Sequence, residues 1–357
     1  MLHYALLPKD PGRVVTGLQT FGKASLGVAG SVEQVSPGSR DSQWSCSPSP
    51  LCWYLALSGA TGTKIRIADI SFSVLGLSRD WVWVDRELFE AFVSDSPSDV
   101  VLRVHAGAPE EHVPRGHPVR SVEGLRNVYL DENTWAFQFR PDDRTLYPRR
   151  PPHQVLLFNR DFAAGDLYVS ADVMSKRRPF EFGLFLLELL TAMLPFHRGM
   201  MLHASGISDG GQAIVFAGPS GAGKSTLARL WQGCEGVRLL NDDRTILRRS
   251  GGQWRAYPVA GMGEMRPLSS EGSNLGAIFL VSQANDNNAE RKGISQAASS
   301  ILPHISLAYY DSVAVNLGLQ LLDDLLQEVP VYELGFLPDQ TAVSFVRDVV
   351  RQRDLLE

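Results

Sequence analysis

One eight-residue run constrains the fold of this chain more than any other feature: residues 218–225 read Gly-Pro-Ser-Gly-Ala-Gly-Lys-Ser. They satisfy every fixed position of the pattern G-x-x-x-x-G-K-[ST]. An apolar run at 212–217 precedes them, and a helical pattern at 224–232 follows. Because glycines let successive backbone N–H groups point inward, such a loop binds phosphate oxygens. The run therefore predicts a nucleotide-phosphate-binding loop between a strand and a helix.

The residues of this loop have separate expected roles. We expect Lys224 to reach the β- and γ-phosphates of a nucleotide as a point charge, and the Ser225 hydroxyl to bind Mg²⁺. The N-terminus of the following helix adds its positive dipole end. The alternative is a glycine-rich turn that binds no ligand. The expected cofactor-binding residues are Gly218, Pro219, Ser220, Gly221, Ala222, Gly223, Lys224, Ser225 and Thr226.

A pair of carboxylates follows the loop. An apolar strand pattern ends in Leu-Leu-Asn-Asp-Asp at 239–243, and Asp242 lies 17 residues after Ser225. One carboxylate can hold Mg²⁺, directly or through water, and the other can accept a proton from an attacking hydroxyl. The alternative is a solvated turn that leads into a hairpin predicted at 245–257.

His203 is a third candidate, and it lies 15 residues before Gly218. If the run 200–205 is a strand beside the strand that precedes the loop, this imidazole lies near the γ-phosphate. A single histidine taken alone is more often structural or merely exposed.

These stretches together resemble a known family. Leu-His-Ala-Ser-Gly at 202–206, the run 214–226 and the run 239–243 are similar to the catalytic domain of bacterial HPr kinase/phosphorylase. They resemble more closely the HPr-kinase-related proteins that accompany peptide-modification gene clusters. Pro-Val-Tyr-Glu-Leu-Gly-Phe-Leu-Pro-Asp at 330–339 is similar to the end of that related group. The resemblance covers residues from about 179 to the C-terminus.

The resemblance implies a phosphate-loop fold shared with ATP-type phosphoenolpyruvate carboxykinase, and ATP- and Mg²⁺-dependent phosphoryl transfer to a serine hydroxyl. Carried over by position, Asp242 would be the proton acceptor, His203 would lie nearby, Lys224 would clamp the phosphates and Ser225 would bind Mg²⁺. The family has a second Mg²⁺-binding glutamate in a Glu-x-Arg-Gly motif. Glu-Met-Arg-Pro at 264–267 matches it in part, so Glu264 is a metal candidate, as is Asp243.

The sequence departs from the family in two places. Thr226 stands where the family has a glutamate after Lys-Ser, and the signature around a late arginine has no clear counterpart, although Arg291 and Lys292 lie in a plausible region. HPr as the substrate, a reverse dephosphorylating activity, and which of Asp242 and Asp243 touches the metal are therefore open.

Composition limits the class of protein. The chain has 357 residues, 44% hydrophobic and 20% charged, with a net charge of −5, which is typical of a globular protein of about two domains. A mildly acidic chain without a long basic run predicts no nucleic-acid partner. Three cysteines are too few for a disulfide framework.

With no signal peptide and no apolar run of about 18 residues, we expect a cytoplasmic protein without a membrane partner. The nearest candidate span, 182–196, contains Glu188 and indicates a core helix.

The order of patterns predicts three parts: a partly flexible segment at 1–50, a β-rich recognition or scaffold domain at 51–175, and the α/β, HPr-kinase-like ATP-binding domain at 176–357. Short β-like runs mark the second part, at 64–73, 99–105, 135–139, 154–158 and 166–169.

The leading hypothesis is a kinase that phosphorylates a hydroxyl, in particular a serine of a peptide or small protein. A small-metabolite kinase is the enzymatic alternative, and it needs a closed pocket where a peptide kinase needs an open groove. A nucleotide-gated binding module without phosphoryl transfer is the alternative from another class. An ATPase coupled to assembly would act as a homo-oligomer. The sequence leaves the acceptor and the oligomeric state open.

Overall fold

The computed structural model describes residues 62–76, 89–122, 126–139, 154–171, 182–260, 263–265 and 267–354. All of them belong to one compact unit, Leu55–Glu357. The segment predicted as partly flexible, 1–50, lies outside the described residues. The described part is a mixed α/β structure with two sheets.

The first sheet has eight strands among the described residues, in the order β1-β2-β3-β8-β7-β6-β5-β4. Strand β3 pairs in parallel with β2 and β8, and the other neighbours are antiparallel. The strands are β1 (Gly62–Ile67), β2 (Ile70–Leu75), β3 (Val100–Ala106), β4 (Arg120–Val122), β5 (Arg126–Leu130), β6 (Thr134–Phe139), β7 (Gln154–Asn159) and β8 (Ala164–Val169). The run 64–73 predicted as one β-like stretch is a hairpin that turns at Ala68 and Asp69.

The second sheet follows the order β12-β10-β11-β15-β14-β13-β9-β17, with β18 also beside β15 and β16 beside β18. Its strands are β9 (Gly199–Leu202), β10 (Ala204–Asp209), β11 (Gln212–Ala217), β12 (Val237–Asn241), β13 (Thr245–Ser250), β14 (Gln253–Tyr257), β15 (Ser273–Gln283), β16 (Asn288–Arg291), β17 (Ile305–Ser306) and β18 (Val331–Phe336). The described helices are α1 (Phe182–Met193), α2 (Lys224–Leu230), α3 (Ile294–Ile301), α4 (Ser312–Glu328) and α5 (Thr341–Asp354).

Helices cover both faces of the second sheet. Val215 of β11 points into a cluster with residues of α3 and α4, whereas its neighbour Phe216 points into a cluster with residues of α2 and α5. A strand buried on both faces must be apolar throughout, which is why β11 reads Gln-Ala-Ile-Val-Phe-Ala. This burial fixes the end of β11, and so the start of the glycine-rich loop, within the core.

Helix α1 joins the two sheets. Its side chains Leu190 and Met193 belong to one apolar cluster with Trp135 of the first sheet and Ile246 of the second. Glu188, which interrupts the apolar run, is buried and forms an ion pair with Arg120 of β4. The expectation of a core helix is confirmed. No helix in the described part of the chain is long and apolar enough to cross a membrane.

Several boundaries differ from the sequence patterns. The run 200–205 is two strands, β9 and β10, because the chain changes partners at His203: β9 pairs with β13 and β17, and β10 pairs with β11 and β12. The hairpin predicted at 245–257 is present as β13 and β14. The domain boundary predicted between 175 and 176 falls between β8 and α1 and stays a prediction.

Candidate functional site

Three segments that are far apart in the sequence meet at the same end of three neighbouring strands. Ala204, the first residue of β10, pairs with Ala217, the last residue of β11. β10 also pairs with β12, and the N–H of Ala204 donates to the carbonyl of Asp243 at 3.1 Å. The glycine-rich loop, His203 and the aspartate pair are therefore neighbours in the fold.

The loop from Gly218 to Gly223 connects β11 directly to α2. Gly218, Gly221 and Gly223 have φ angles of +153°, +83° and +99°, which side chains with a Cβ rarely adopt. A Cβ on Gly223 would also collide with the ring of Phe336 at 2.7 Å. The loop conformation thus requires glycine at these positions, in agreement with the motif.

Lys224 lies buried at the start of α2, and its ammonium group returns to the beginning of the loop. Nζ donates to the carbonyls of Gly218 at 2.9 Å and Pro219 at 3.1 Å. Burial holds the pKa of Lys224 below its ordinary value, and the negative charge of Asp243 partly opposes that effect. The position of Nζ marks the first two residues of the loop as the end where the lysine would meet phosphate.

Asp242 is held from two sides. Its carbonyl accepts hydrogen bonds from the hydroxyls of Ser205 at 3.0 Å and Ser225 at 3.2 Å. Its carboxylate is buried, and Oδ1 accepts the backbone N–H groups of Glu264 and Met265, each at 3.1 Å. Ser225, whose hydroxyl is expected to bind Mg²⁺, is thus hydrogen-bonded to the backbone of Asp242, whose carboxylate is expected to accept a proton.

The side chain of Asp243 has different neighbours from that of Asp242. The side-chain oxygen of Asn241 accepts the N–H groups of Asp243 at 2.8 Å and Arg244 at 2.9 Å, a turn that asparagine commonly forms after a strand. Oδ1 of Asp243 lies 3.8 Å from Nε2 of His203, and Oδ2 lies 3.3 Å from Nε of Arg244. The side chain of Asp243 is 39% exposed, so this carboxylate is accessible to a ligand.

His203 is a neutral imidazole at pH 7. Burial is the main cause that lowers its pKa to about 4; the positive charges of Arg244 and Lys224 act in the same direction, and Asp243 opposes them. The N–H of His203 donates to the carbonyl of His304 at 2.8 Å. Burial and the charge of Lys224 also lower the pKa of His304. Two histidines with lowered pKa values therefore lie within electrostatic reach of the lysine.

Glu264 reaches Asp242 through its backbone rather than its side chain. Its carboxylate is 83% exposed and pairs with Nη2 of Arg229 at 2.9 Å. The role of Glu264 as a metal ligand stays a prediction, because the described contacts place its N–H, and not its carboxylate, next to Asp242.

The residues at this site fit Mg²⁺ bound together with phosphates. No group of three or more His, Cys, Asp or Glu side chains in the described ranges could hold a metal by itself. Mg²⁺ is commonly bound through one or two carboxylates, water and substrate phosphates rather than by an all-protein cage. A hydroxyl from Ser225 and a carboxylate from the adjoining aspartate pair match that requirement.

Comparison with protein-family models and with curated proteins gives no match. Among solved structures, one similar chain is described as "Structure of the Hpr(Ser) kinase/phosphatase from Coxiella burnetii". The two chains share 12% sequence identity over 43% of this chain and 96% of that chain, with a TM-score of 0.26. A TM-score that low identifies neither a fold nor an activity for this chain.

The structure adds residues that the sequence patterns did not indicate. Arg244 is only 13% exposed and pairs with Asp243. Because it directly follows the aspartate pair, its position in the sequence could have indicated that it belongs to the site. His304 lies in a short 3-10 helix, Leu302–His304, about 80 residues after the loop, and no spacing connects it to the motif. Glu264 and Met265 contact Asp242 through backbone N–H groups, so no residue type in the sequence indicates these contacts.

Proposed function

We propose that this chain is a kinase that transfers the γ-phosphoryl group of ATP to a hydroxyl, namely a serine of a peptide or small protein. The supporting observation is that a glycine-rich loop with a buried lysine adjoins a pair of aspartates at the same end of three strands. A phosphate-binding loop alone serves many functions, whereas adjacent carboxylates also supply a metal ligand and a proton acceptor.

Nucleotide binding is assigned to the loop. Its N–H groups would bind phosphate oxygens, and Nζ of Lys224 would exchange the carbonyls of Gly218 and Pro219 for the β- and γ-phosphates. Mg²⁺, held by Ser225 and one aspartate, would neutralise the charge that develops on the phosphates. The loop is already curved by its glycines, so little reorganisation is required when phosphate binds.

The two aspartates are assigned different tasks. Asp242 keeps the role of proton acceptor, because two backbone N–H groups fix the orientation of its carboxylate. Asp243 keeps the role of metal ligand, because its carboxylate is accessible and lies beside Arg244 and His203. His203, uncharged at pH 7, would orient Asp243 without adding a positive charge that competes with the metal.

The test uses purified protein, Mg²⁺ and γ-labelled ATP, with peptides encoded beside its gene and a degenerate serine-centred peptide library. Label on peptide, on small molecules and in free phosphate is followed separately. We expect label on serine in the peptide fraction. Asp242→Asn should lower the transfer rate by about a hundredfold or more while ATP affinity changes little. The matched control is Asp324→Asn, an exposed aspartate on α4.

Three outcomes would contradict parts of the proposal. Unchanged transfer by Asp242→Asn, with a large loss in Asp243→Asn, would exchange the roles of the two aspartates. Label on small molecules only would make the protein a metabolite kinase. Tight ATP binding by the wild-type chain without label on any acceptor would favour the nucleotide-gated binding module.

A further inference from the structure

A cleft of about 680 Å³, lined by apolar residues of the sheet and by polar residues of helix α3, lies beside the beginning of the phosphate loop. Gly218 and Pro219 line one side, residues of helix α3 line another, and His304 also contributes to the lining. The cleft is open to solvent, and its volume lies in the range of sites that bind ligands of a few hundred daltons. The loop residues beyond Pro219 are not among those that line it.

The position of Lys224 shows which end of a bound nucleotide the cleft would face. Its ammonium group contacts the carbonyls of Gly218 and Pro219, the same two residues that line the cleft. Because a lysine in this motif meets the β- and γ-phosphates, the cleft adjoins the γ-phosphate rather than the nucleoside. His304 lies at the same place, because it lines the cleft and its carbonyl accepts the N–H of His203 at 2.8 Å.

The lining offers hydrogen-bonding groups that are free. Helix α3 presents Ser295, Gln296, Ser299 and Ser300 to the cleft. The hydroxyl of Ser299 donates to the carbonyl of Ser295 at 2.9 Å, whereas the side chains of Ser295, Gln296 and Ser300 hydrogen-bond to no residue within the described ranges. These groups can both donate and accept hydrogen bonds, as the amides of a peptide require.

The shape of this polar wall favours an extended peptide. Positions 295 to 300 span about 7–8 Å along a helix, the length of two to three residues of an extended chain. Lys292 and Glu333, which form an ion pair, also line the cleft and offer both signs of charge to a ligand. A compact metabolite would be enclosed on most sides, which an open cleft does not provide.

We propose that this cleft is the acceptor site and that it holds a short, polar peptide segment whose serine hydroxyl meets the γ-phosphate beside Gly218 and Pro219. This inference rests on the kinase function proposed above and places its acceptor. The serine oxygen forms a bond to the γ-phosphorus while the bond from that phosphorus to the β–γ bridging oxygen breaks. The hydroxyl proton passes by way of water to Asp242, the proton acceptor proposed above, which adjoins the loop through Ser225 and is not among the residues that line the cleft. ADP is the leaving group. α3 then determines which peptide segments bind.

The experiment compares the wild-type chain with Gln296→Trp, which fills the cleft, and Gln320→Trp, the same exchange at an exposed position of α4. The affinity for the fluorescent analogue N-methylanthraniloyl-ATP and the transfer of label to a degenerate serine-centred library are measured for each. We expect Gln296→Trp to lower transfer by about tenfold or more and to leave nucleotide affinity within about twofold. Gln320→Trp should match the wild type in both.

Weaker nucleotide binding by Gln296→Trp would overturn the inference, because the cleft would then hold the nucleoside. Unchanged transfer would overturn it as well. A photocrosslinker placed at position 296 or 320 separates this failure from that of the kinase proposal. If the wild type transfers no label, crosslinking of the biotinylated library at 296 but not at 320 supports a peptide site in a protein that is not a kinase. Equal crosslinking at both positions, or none, rejects the peptide site.

Discussion

At the scale of single residues, burial and the charges near Lys224 together lower the pKa of His203. Burial, Arg244 and Lys224 lower the pKa of the imidazole to about 4, and Asp243 alone among the named neighbours raises it. We therefore expect Lys224→Met to raise the pKa of His203 and Asp243→Asn to lower it further. NMR titration of the His203 ring in the nucleotide-free protein measures both shifts. Shifts of the same sign in the two variants would contradict this charge arrangement.

The same lowered pKa predicts a pH dependence of stability. Between pH 6.5 and about 4, the unfolded chain binds a proton at His203 that the folded chain does not. The free energy of unfolding should therefore fall as the pH drops through this window, and His203→Gln should reduce the slope. Urea unfolding at several pH values tests this. An equal slope in the variant would show that the histidine is protonated in the fold.

Position 263, a glycine, has no room for a side chain, because Asp242 lies against it. Its φ angle is +79°, and a Cβ there would collide with Oδ1 of Asp242. Gly263→Ala should displace the N–H groups of Glu264 and Met265 from that carboxylate and lower phosphoryl transfer. Gly252→Ala is the matched control, because Gly252 has a φ of +82° with open space around it. In both variants a residue with a Cβ must adopt a left-handed backbone conformation, which lowers the free energy of unfolding by about 1–2 kcal/mol. Phosphoryl transfer should fall only in Gly263→Ala.

At the scale of elements, helix α4 shows how one side chain can fix both a helix end and a contact between sheets. The buried Asp311 accepts the N–H of Val313 at 2.8 Å, and its other oxygen approaches Arg160, after β7, to 3.0 Å. Asp311→Ala removes the cap and leaves the arginine without its partner, so unfolding should become easier by about 3 kcal/mol. Asp311→Asn keeps the cap and should cost less. Chemical denaturation compares the two, and equal losses would show that the cap contributes nothing.

The sequence predicted those elements whose signals are local. The loop 218–225 and the hairpin of β13 and β14 follow from glycines, alternation and apolar runs. Strand β16 and helix α3 were not predicted, because their residues are mostly exposed and polar, and tertiary packing places them. α4 begins at Ser312, because the side chain of Asp311 caps it. The change of partners at His203 is equally invisible in the sequence, since it depends on pairing between distant strands.

At the scale of the whole molecule, the candidate site lies entirely in the second sheet, but its strands are tied to the first. Trp135, Leu190 and Ile246 share one apolar cluster, so neither sheet has a separate core on that side. Polar contacts also connect the two sheets: Nη1 of Arg248 donates to the carbonyl of Ala68 at 2.9 Å. The candidate site could be proposed from motif and spacing, whereas these contacts between the sheets could not. Ala68 and Arg248, for example, lie 180 positions apart, and no motif connects them.

A second set of polar contacts between the two sheets lies at the hairpin turn between β1 and β2. The hydroxyl of Tyr257 donates to Oδ2 of Asp69 at 2.5 Å, and burial together with this hydrogen bond raises the pKa of Tyr257 to about 12. Asp69 and Ala68 have positive φ angles of +59° and +51°, so the turn is held in a backbone conformation that non-glycine residues seldom adopt. Contacts to the second sheet must therefore stabilise it.

Tyr257→Phe tests whether the two sheets unfold together. The ring stays buried, but the carboxylate of Asp69 loses a donor, which should lower the free energy of unfolding by about 1.5–3 kcal/mol. Because the apolar cluster remains shared, we expect a single transition when the near-ultraviolet circular dichroism and the tryptophan fluorescence are followed in urea. Nucleotide affinity should not change, since Tyr257 lies outside the phosphate loop. Two separate transitions, or a parallel loss of nucleotide binding, would show that the hydroxyl holds the second sheet in shape rather than joining it to the first.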